Sequence, residues 1–423
     1  MSKDIRLTHT TINNVQIPVI YGYSNLVPAG TIRLIFQGGG SLQDQDKIGL
    51  SALKDEMLNR GSKDRGNVGF AQALEQKAIA LDVRSGTQTL NFELSYLKEE
   101  QTEAIALLGE LLSHPNLTQI ELDKAKTALI AKILANQNDF DYLADELLNQ
   151  KLFAGTPLAQ SKLGSPKDIE RLTLKDIHTT LDSSLMLKRL IIVIGGDVAL
   201  KPTLKALESI LAFLPNGEPY DKQHFTIQAK PSSATKTAKT EQAYIYFGAP
   251  LKVENLAKEW HLAQVASFIL GAGGFGSRLM EEVRTKRGLA YSAYIRYNTS
   301  PLISYASGYL QTKLESQDEA IQIVKETIQN FVENGVTQQE LDDAKKFLLG
   351  SEPLRNETLS QRLNTAFSDY YLELGIGFSA QNLKRIEALD LATLNAYIKQ
   401  HTEIKDLTFA IVTATSKQSK STK

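Results

Sequence analysis

Apolar and polar residues alternate at 31–37, 90–96, 242–247 and 304–311, which predicts strands, since successive side chains of a strand face opposite sides of its sheet. At 104–112 and 320–332 the apolar positions instead recur every three to four residues, the spacing of a helix with one buried face. Strands adjoining in sequence, with longer helical patterns after them, predict an α+β fold. Each domain is expected to be a mostly antiparallel sheet with helices packed on one face.

The same pattern is written twice. LTQIELDKAK from Leu117 is answered 219 residues later by VTQQELDDAK from Val336. IERLTLKDI from Ile169 returns as IEALDLATL from Ile386, and LIIVIGGDV from Leu190 as LTFAIVTAT from Leu407, both after 217 residues. Three matches in one order imply two homologous domains. Thr118 with Glu121, and Thr337 with Glu340, have capping-box spacing, in which hydroxyl and carboxylate each satisfy a free backbone donor at a helix start. Residues 215–242 are rich in Pro, Ser, Thr and Lys and read as a linker between a domain at 1–214 and its duplicate at 243–415. The tail 416–423 is expected to be disordered.

Charge narrows the partners. With 47 basic and 48 acidic residues there is no cationic excess to neutralise a phosphate backbone, so nucleic acid is not an expected partner. The absence of cysteine removes disulfides, thiol catalysis and thiolate metal sites. No apolar run approaches the roughly 18 residues of a membrane-spanning helix.

Residues 49–62, GLSALKDEMLNRGS, resemble the segment G-L-A-H-F-L-E-H-M-L-F-x-G-T of the pitrilysin and insulin-degrading-enzyme family, peptidases with an inverted H-x-x-E-H zinc motif. In that family two histidines one turn apart hold zinc, and the glutamate between them activates water. Here the first histidine position holds Ala52, the glutamate position Asp55 and the second histidine position Glu56. The third ligand position falls on Lys132, whose ammonium has no lone pair and repels a divalent cation. Lys132 is expected to pair with Glu56 or Asp55 instead. His9, His114, His178, His224, His261 and His401 are scattered, none of them three or four residues from another, and read as surface or packing residues. No metal or other cofactor is expected in this chain.

The second copy carries another part of the resemblance. LGAGGFGSRLMEEVRTKRGLAYSA, residues 270–293, is similar to the family's G-x-x-S-R-L-x-x-x-L-R-x-x-x-x-L-x-Y segment, which puts Arg284 and Tyr291 on the arginine and tyrosine used across the cleft from zinc. The chemistry suits them: amide hydrolysis builds negative charge on the carbonyl oxygen, and preorganised donors stabilise it. The competing reading makes Arg284 a partner of Glu281 and Tyr291 an ordinary strand aromatic. Gly288 is expected to end the helix bearing Arg284 and turn the chain into the strand of Tyr291. GAGGFG, 271–276, fits the dinucleotide pattern G-x-G-x-x-G, but the helical pattern before it argues against a strand–turn–helix cofactor site and hence against a nicotinamide-dependent oxidoreductase. Gly271, Gly273 and Gly274 are instead candidates for contact with a substrate backbone. Gly38, Gly39 and Gly40 form a further turn after the strand that precedes the motif.

The resemblance spans nearly the whole chain and implies two of the four domains that enclose a proteolytic chamber in this family. It implies a zinc-less subunit that lends Arg284 and Tyr291 to a homologous zinc-bearing subunit in a heterodimer, with zinc in that partner and an unfolded peptide as substrate. The alternative is a structural or peptide-binding homodimer without chemistry. MSKDIRLTHT at the start lacks the apolar stretch of a secretory leader, and the match begins almost at residue 1, as in a mature exported chain. That points to the bacterial cell envelope or periplasm, with the cytoplasm as the other possibility.

Overall fold

The computed structural model describes residues 5–414; the tail at 416–423 lies outside them. Two compact units emerge. One draws on the chain up to Ala135, on Ser161–Lys222 and on Pro353–Gly377; the other on Asn136–Gln160, Gln223–Glu352 and the chain from Phe378.

The first unit holds six strands, β1 (Ile5–Ile12), β2 (Val15–Tyr23), β3 (Ala29–Gln37), β4 (Ala80–Ser85), β5 (Thr89–Leu97) and β6 (Leu190–Gly196), in the order β1-β2-β6-β3-β5-β4. All neighbours are antiparallel except β2 and β6. Ile32, Leu34, Phe36, Phe92, Leu94, Ile192 and Ile194 point to one face, where they join the main core with residues such as Leu53, Met57, Leu108 and Leu129 from the helices. The opposite face, Ile20, Ile35, Ile191 and Val193, is covered by Leu363 and Ala366 of the helix Leu359–Tyr371. Buried on both faces, β6 has no polar side to alternate with, hence its unbroken apolar run. A Cβ on Gly195 would lie 2.3 Å from Leu363 Cδ1, so a larger residue there would force the Leu363 side chain to shift.

The second unit repeats the plan with β7 (Ser233–Thr237), β8 (Gln242–Pro250), β9 (Ala290–Asn298), β10 (Tyr305–Lys313) and β11 (Thr408–Thr413), ordered β7-β11-β8-β10-β9. Its core combines Ile245, Phe247, Ile295 and Ile411 of the sheet with Val324, Ile328 and Phe331 of the helix Gln317–Asn334. Leu148 and Leu152 of the helix Phe140–Leu152 pack on its other side with Ala410. The expected α+β class with mostly antiparallel sheets holds, and each sheet gains one helix on its second face from the other half of the sequence.

Two local expectations need correction. The segment read as a linker contains β7, which pairs in parallel with β11 through its backbone while its Ser, Thr and Lys side chains stay largely exposed, leaving no apolar alternation to read. The capping box at Thr337 forms in full. At Thr118 only half of it forms: the Thr118 hydroxyl accepts from Glu121 N at 3.3 Å, but the Glu121 carboxylate turns to Lys124 at 2.8 Å and Arg60 at 3.3 Å.

The helix that carries the motif, α1 (Leu50–Leu58), is positioned at its start by Asp44. This buried carboxylate accepts from Ser51 N at 3.1 Å and from Ser51 Oγ at 2.6 Å, capping the free donors of the first turn from outside the helix. Burial pushes its pKa up to about 6 from 3.8, against the opposing bonds from Ser51 and the charge of Lys54. An acid whose folded pKa is raised adds stability that is complete below about 4 and is lost as pH climbs through about 6. The contribution is at most about 3 kcal/mol. Asp44→Asn is therefore expected to weaken the fall in unfolding free energy between pH 4 and pH 7, measured by urea titration at each pH; equal pH slopes for both proteins would refute this.

Candidate functional site

The first candidate is the emptied motif. Ala52 has only a methyl group to offer, and Glu56 and Lys132 make no hydrogen bond or ion pair among the described residues. The expected pairing of Lys132 with Glu56 or Asp55 does not form: Lys132 is exposed on the helix α2 (Gln119–Ala135), and Asp55 is engaged elsewhere. Its carboxylate accepts from Ser85 N at 2.7 Å and from Ser85 Oγ at 2.6 Å, both on β4. A methyl, a carboxylate and an ammonium do not suit zinc, which is held by three or four imidazole, thiolate or carboxylate donors. Among the described residues no group of three or more His, Asp or Glu is placed to hold a metal ion.

Between these positions lies a residue the motif comparison passes over. Lys54 is 0% exposed, and its Nζ donates to Gly39 O at 2.6 Å. The helical spacing of Leu50, Leu53, Met57 and Leu58 carries the signal, since Lys54 falls on the same apolar stripe and so had to enter the core. Burial lowers its pKa, while the charges of Asp55 and Asp44 raise it again. Asp55 is in turn pushed up to about 6 by burial, opposed by its bonds from Ser85 and by Lys54. The lysine and each carboxylate make one another's burial tolerable, while Asp44 itself pushes the Asp55 pKa further up. The three-glycine turn receives this group: Gly38 has φ +77°, and a Cβ on Gly40 would lie 2.5 Å from Gly86 O and Thr87 O.

At the C-terminal end of α1, the capping residue Asn59 donates from Nδ2 to Val83 O at 2.8 Å and to Asp55 O at 2.9 Å, and its Oδ1 accepts from Val83 N at 3.0 Å. The former ligand helix is thereby fastened along β4. A hollow of about 660 Å³ in the same unit, with His114, His178 and Asp182 at its rim over Phe92, Leu111 and Leu181, includes none of the motif positions.

The second candidate is in the other unit. The helix α3 (Leu256–Ser267) runs into a π-helical turn, Phe268–Ala272, closed by Gly273 N to Phe268 O at 3.0 Å, so the residues ahead of GAGGFG are helical as expected. A second π turn, Glu281–Thr285, presents Arg284. Such turns widen the helix and re-aim side chains. Gly288, at φ +63°, then reverses the chain into β9, which displays Tyr291.

Arg284 does not pair with Glu281. Its Nη1 donates to Tyr291 O at 2.9 Å, and its guanidinium carbon lies 4.4 Å from the Tyr291 ring centre and 4.6 Å from that of Phe275. Tyr291 is 82% exposed and Phe275 75% exposed. A cation held by two exposed rings and a carbonyl is fixed in place but not neutralised, and most of its five donors remain available. Phe275, within the glycine-rich turn, was not anticipated; an aromatic among glycines is the only hint the sequence offers.

The glycines of that turn divide. A Cβ on Gly271 would lie 2.5 Å from Ile295 N, and one on Gly273 2.8 Å from Phe268 O, so both are explained by close packing. Gly274, at φ +66°, has open space where a Cβ would sit. The structure brings together Arg284, Tyr291 and the 271–276 turn in one unit, and Ala52, Asp55 and Glu56 on one helix in the other.

Comparison with known proteins agrees with this layout. A family model described as insulinase, peptidase family M16, matches residues 19–166, and one described as peptidase M16 inactive domain matches residues 171–348. The non-peptidase homolog YmxG of Helicobacter pylori is 50% identical over 406 residues, spanning 96% of this chain and 94% of that protein. A peptidase M16 inactive domain from Pseudomonas fluorescens superimposes with a TM-score of 0.87 at 22% identity, covering 97% of this chain and 98% of that one. The periplasmic protease PqqL of Escherichia coli superimposes with a TM-score of 0.79 at 13% identity, covering 98% of this chain but 46% of that one. The chain thus belongs to the M16 peptidase family, as a zinc-less member whose motif positions hold Ala52, Asp55 and Glu56.

Proposed function

We propose that this protein is the non-catalytic subunit of a heterodimeric zinc peptidase, lending Arg284 and Tyr291 to the active site of a homologous zinc-bearing subunit. One observation carries the reading: Arg284 is held rigidly between two exposed rings with no carboxylate to consume its charge. A positioned but unneutralised cation beside an exposed phenol is what a developing oxyanion requires.

In that assembly zinc, bound by the partner, supplies the activated water. Arg284 and the Tyr291 hydroxyl donate to the carbonyl oxygen as it gains charge, and they make those bonds more strongly in the transition state than in the ground state. The substrate is an unfolded peptide whose backbone is held as an added strand. Coverage of just under half of PqqL fits a chain that contributes two domains to a four-domain enclosure, and the location of that protein supports the cell envelope as the compartment. A second reading, a structural or peptide-binding homodimer without chemistry, draws support from the non-peptidase description of the Helicobacter relative.

Peptidase activity and zinc content of this chain, of the zinc-bearing homologue and of their mixture separate the two readings. Only the mixture is expected to cleave an unfolded peptide efficiently, with zinc in the homologue; a mixture no faster than the homologue alone favours the structural reading. In the active mixture, Arg284→Ala and Tyr291→Phe are each expected to lower kcat on the order of 10²-fold, with zinc content and assembly unchanged. Unaltered turnover in both variants would make the pair scaffold.

A further inference from the structure

A strand at the edge of a sheet presents the N–H and C=O of every second residue to any chain that can pair with it. β4 is such an edge, last in its sheet beyond β5. Its outward residues are Leu81, Val83 and Ser85, and the last two are already engaged, Val83 through both backbone groups and Ser85 through its N–H. Asn59 meets Val83 with a donor and an acceptor at once, Nδ2 to Val83 O at 2.8 Å and Val83 N to Oδ1 at 3.0 Å, the same pair of bonds a neighbouring strand would make. Two residues along, Ser85 N donates to Asp55 at 2.7 Å. Asp55 and Asn59 lie one helical turn apart, which brings both side chains to the same strand. Lys54 keeps the helix from moving away, through its buried bond to Gly39 O.

We infer that the degenerate motif has been converted into a strand mimic that blocks the Val83–Ser85 end of β4 against peptide addition, so that this chain does not itself pair with the backbone of a captured peptide there. The duplicated unit is obstructed in part at the corresponding edge, by single bonds and close packing. Along its edge strand β9, Tyr297 N donates to Ser267 Oγ at 3.0 Å, Arg284 Nη1 donates to Tyr291 O at 2.9 Å, and Gly271 packs against Ile295 N. In both units the helix following β3 or β8 and the residues just after it occupy the place of an added strand. The inference concerns this chain alone and stands whether or not a partner subunit exists.

Backbone amide exchange on the intact chain tests it, together with binding of a fluorescein-labelled Lys-(Thr-Val)3-Lys peptide and of the same peptide N-methylated at alternate residues. Val83 and Ser85 amides are expected to be protected although they face away from β5, and the intact chain should bind neither peptide at millimolar concentration. Asn59→Ala is expected to speed exchange at Val83 about tenfold or more and to create binding of the unmethylated peptide only. Free exchange at Val83 and Ser85 in the intact chain, or binding there that N-methylation abolishes and that cross-links to β4, would overturn the inference. So would unchanged Val83 exchange in the Asn59→Ala variant. The intact-chain measurements decide the matter even if that variant fails to fold.

Discussion

A fully buried ammonium governs what the first unit can do. Lys54 sits in the middle of the former zinc motif, and an isolated charge there would cost far more than the stability of a typical domain allows. It is tolerable because Gly39 O accepts its hydrogen bond and because Asp44 and Asp55 lie close enough to influence its ionisation. These same partners fix the start, the middle and the far side of α1: Asp44 through Ser51, Asp55 through Ser85. Loss of the imidazoles has therefore not left a hole. The helix is tied to its sheet through Lys54, Asp55 and Asn59.

The two units show how a duplicated scaffold can diverge in its chemistry while its strand plan persists. Each has a mostly antiparallel sheet whose C-terminal apolar strand, β6 or β11, lies inside the sheet next to one parallel neighbour. In each, the helix after the strand β3 or β8 approaches the far edge strand. In the first unit that approach ends in neutral amide and carboxylate contacts with β4. In the second it ends in an arginine whose carbonyl bond uses one donor and leaves the others facing outward. The strand plan is shared, but the contacts at the edge strand differ in charge.

Much of this was legible in the sequence, for identifiable reasons. Strands with one buried face announced themselves by alternation, β6 by its unbroken apolar run, and the duplication by spaced repeats. β7 was hidden because a strand held only by backbone pairing leaves no mark on side-chain polarity. The helices Phe140–Leu152 and Leu359–Tyr371 each pack with the sheet of the other half of the sequence, and nothing local in the sequence says so. At the site, Ala52, Asp55, Glu56 and Lys132 told what was missing. They could not tell what had replaced it, because Ser85, Val83 and Gly39 reach the motif through the fold and not through spacing.

Obstruction of the edge strands bears on how a peptide can be handled at all. A chain that captures peptides by strand addition needs an open edge, and in this protein the edges nearest the two candidate sites are obstructed in part by side chains and helix packing. What remains exposed is side-chain chemistry: the guanidinium of Arg284, the phenol of Tyr291 and the ring of Phe275. Groups of this kind can stabilise or orient a bound backbone but cannot fix its register, which requires paired N–H and C=O groups. The backbone must then be held on another surface, and a second polypeptide with an unsealed edge is the simplest source of one. The blocked strand and the unneutralised arginine are both consistent with the proposed heterodimer, in which a partner would grip the peptide and this chain would supply donors to it.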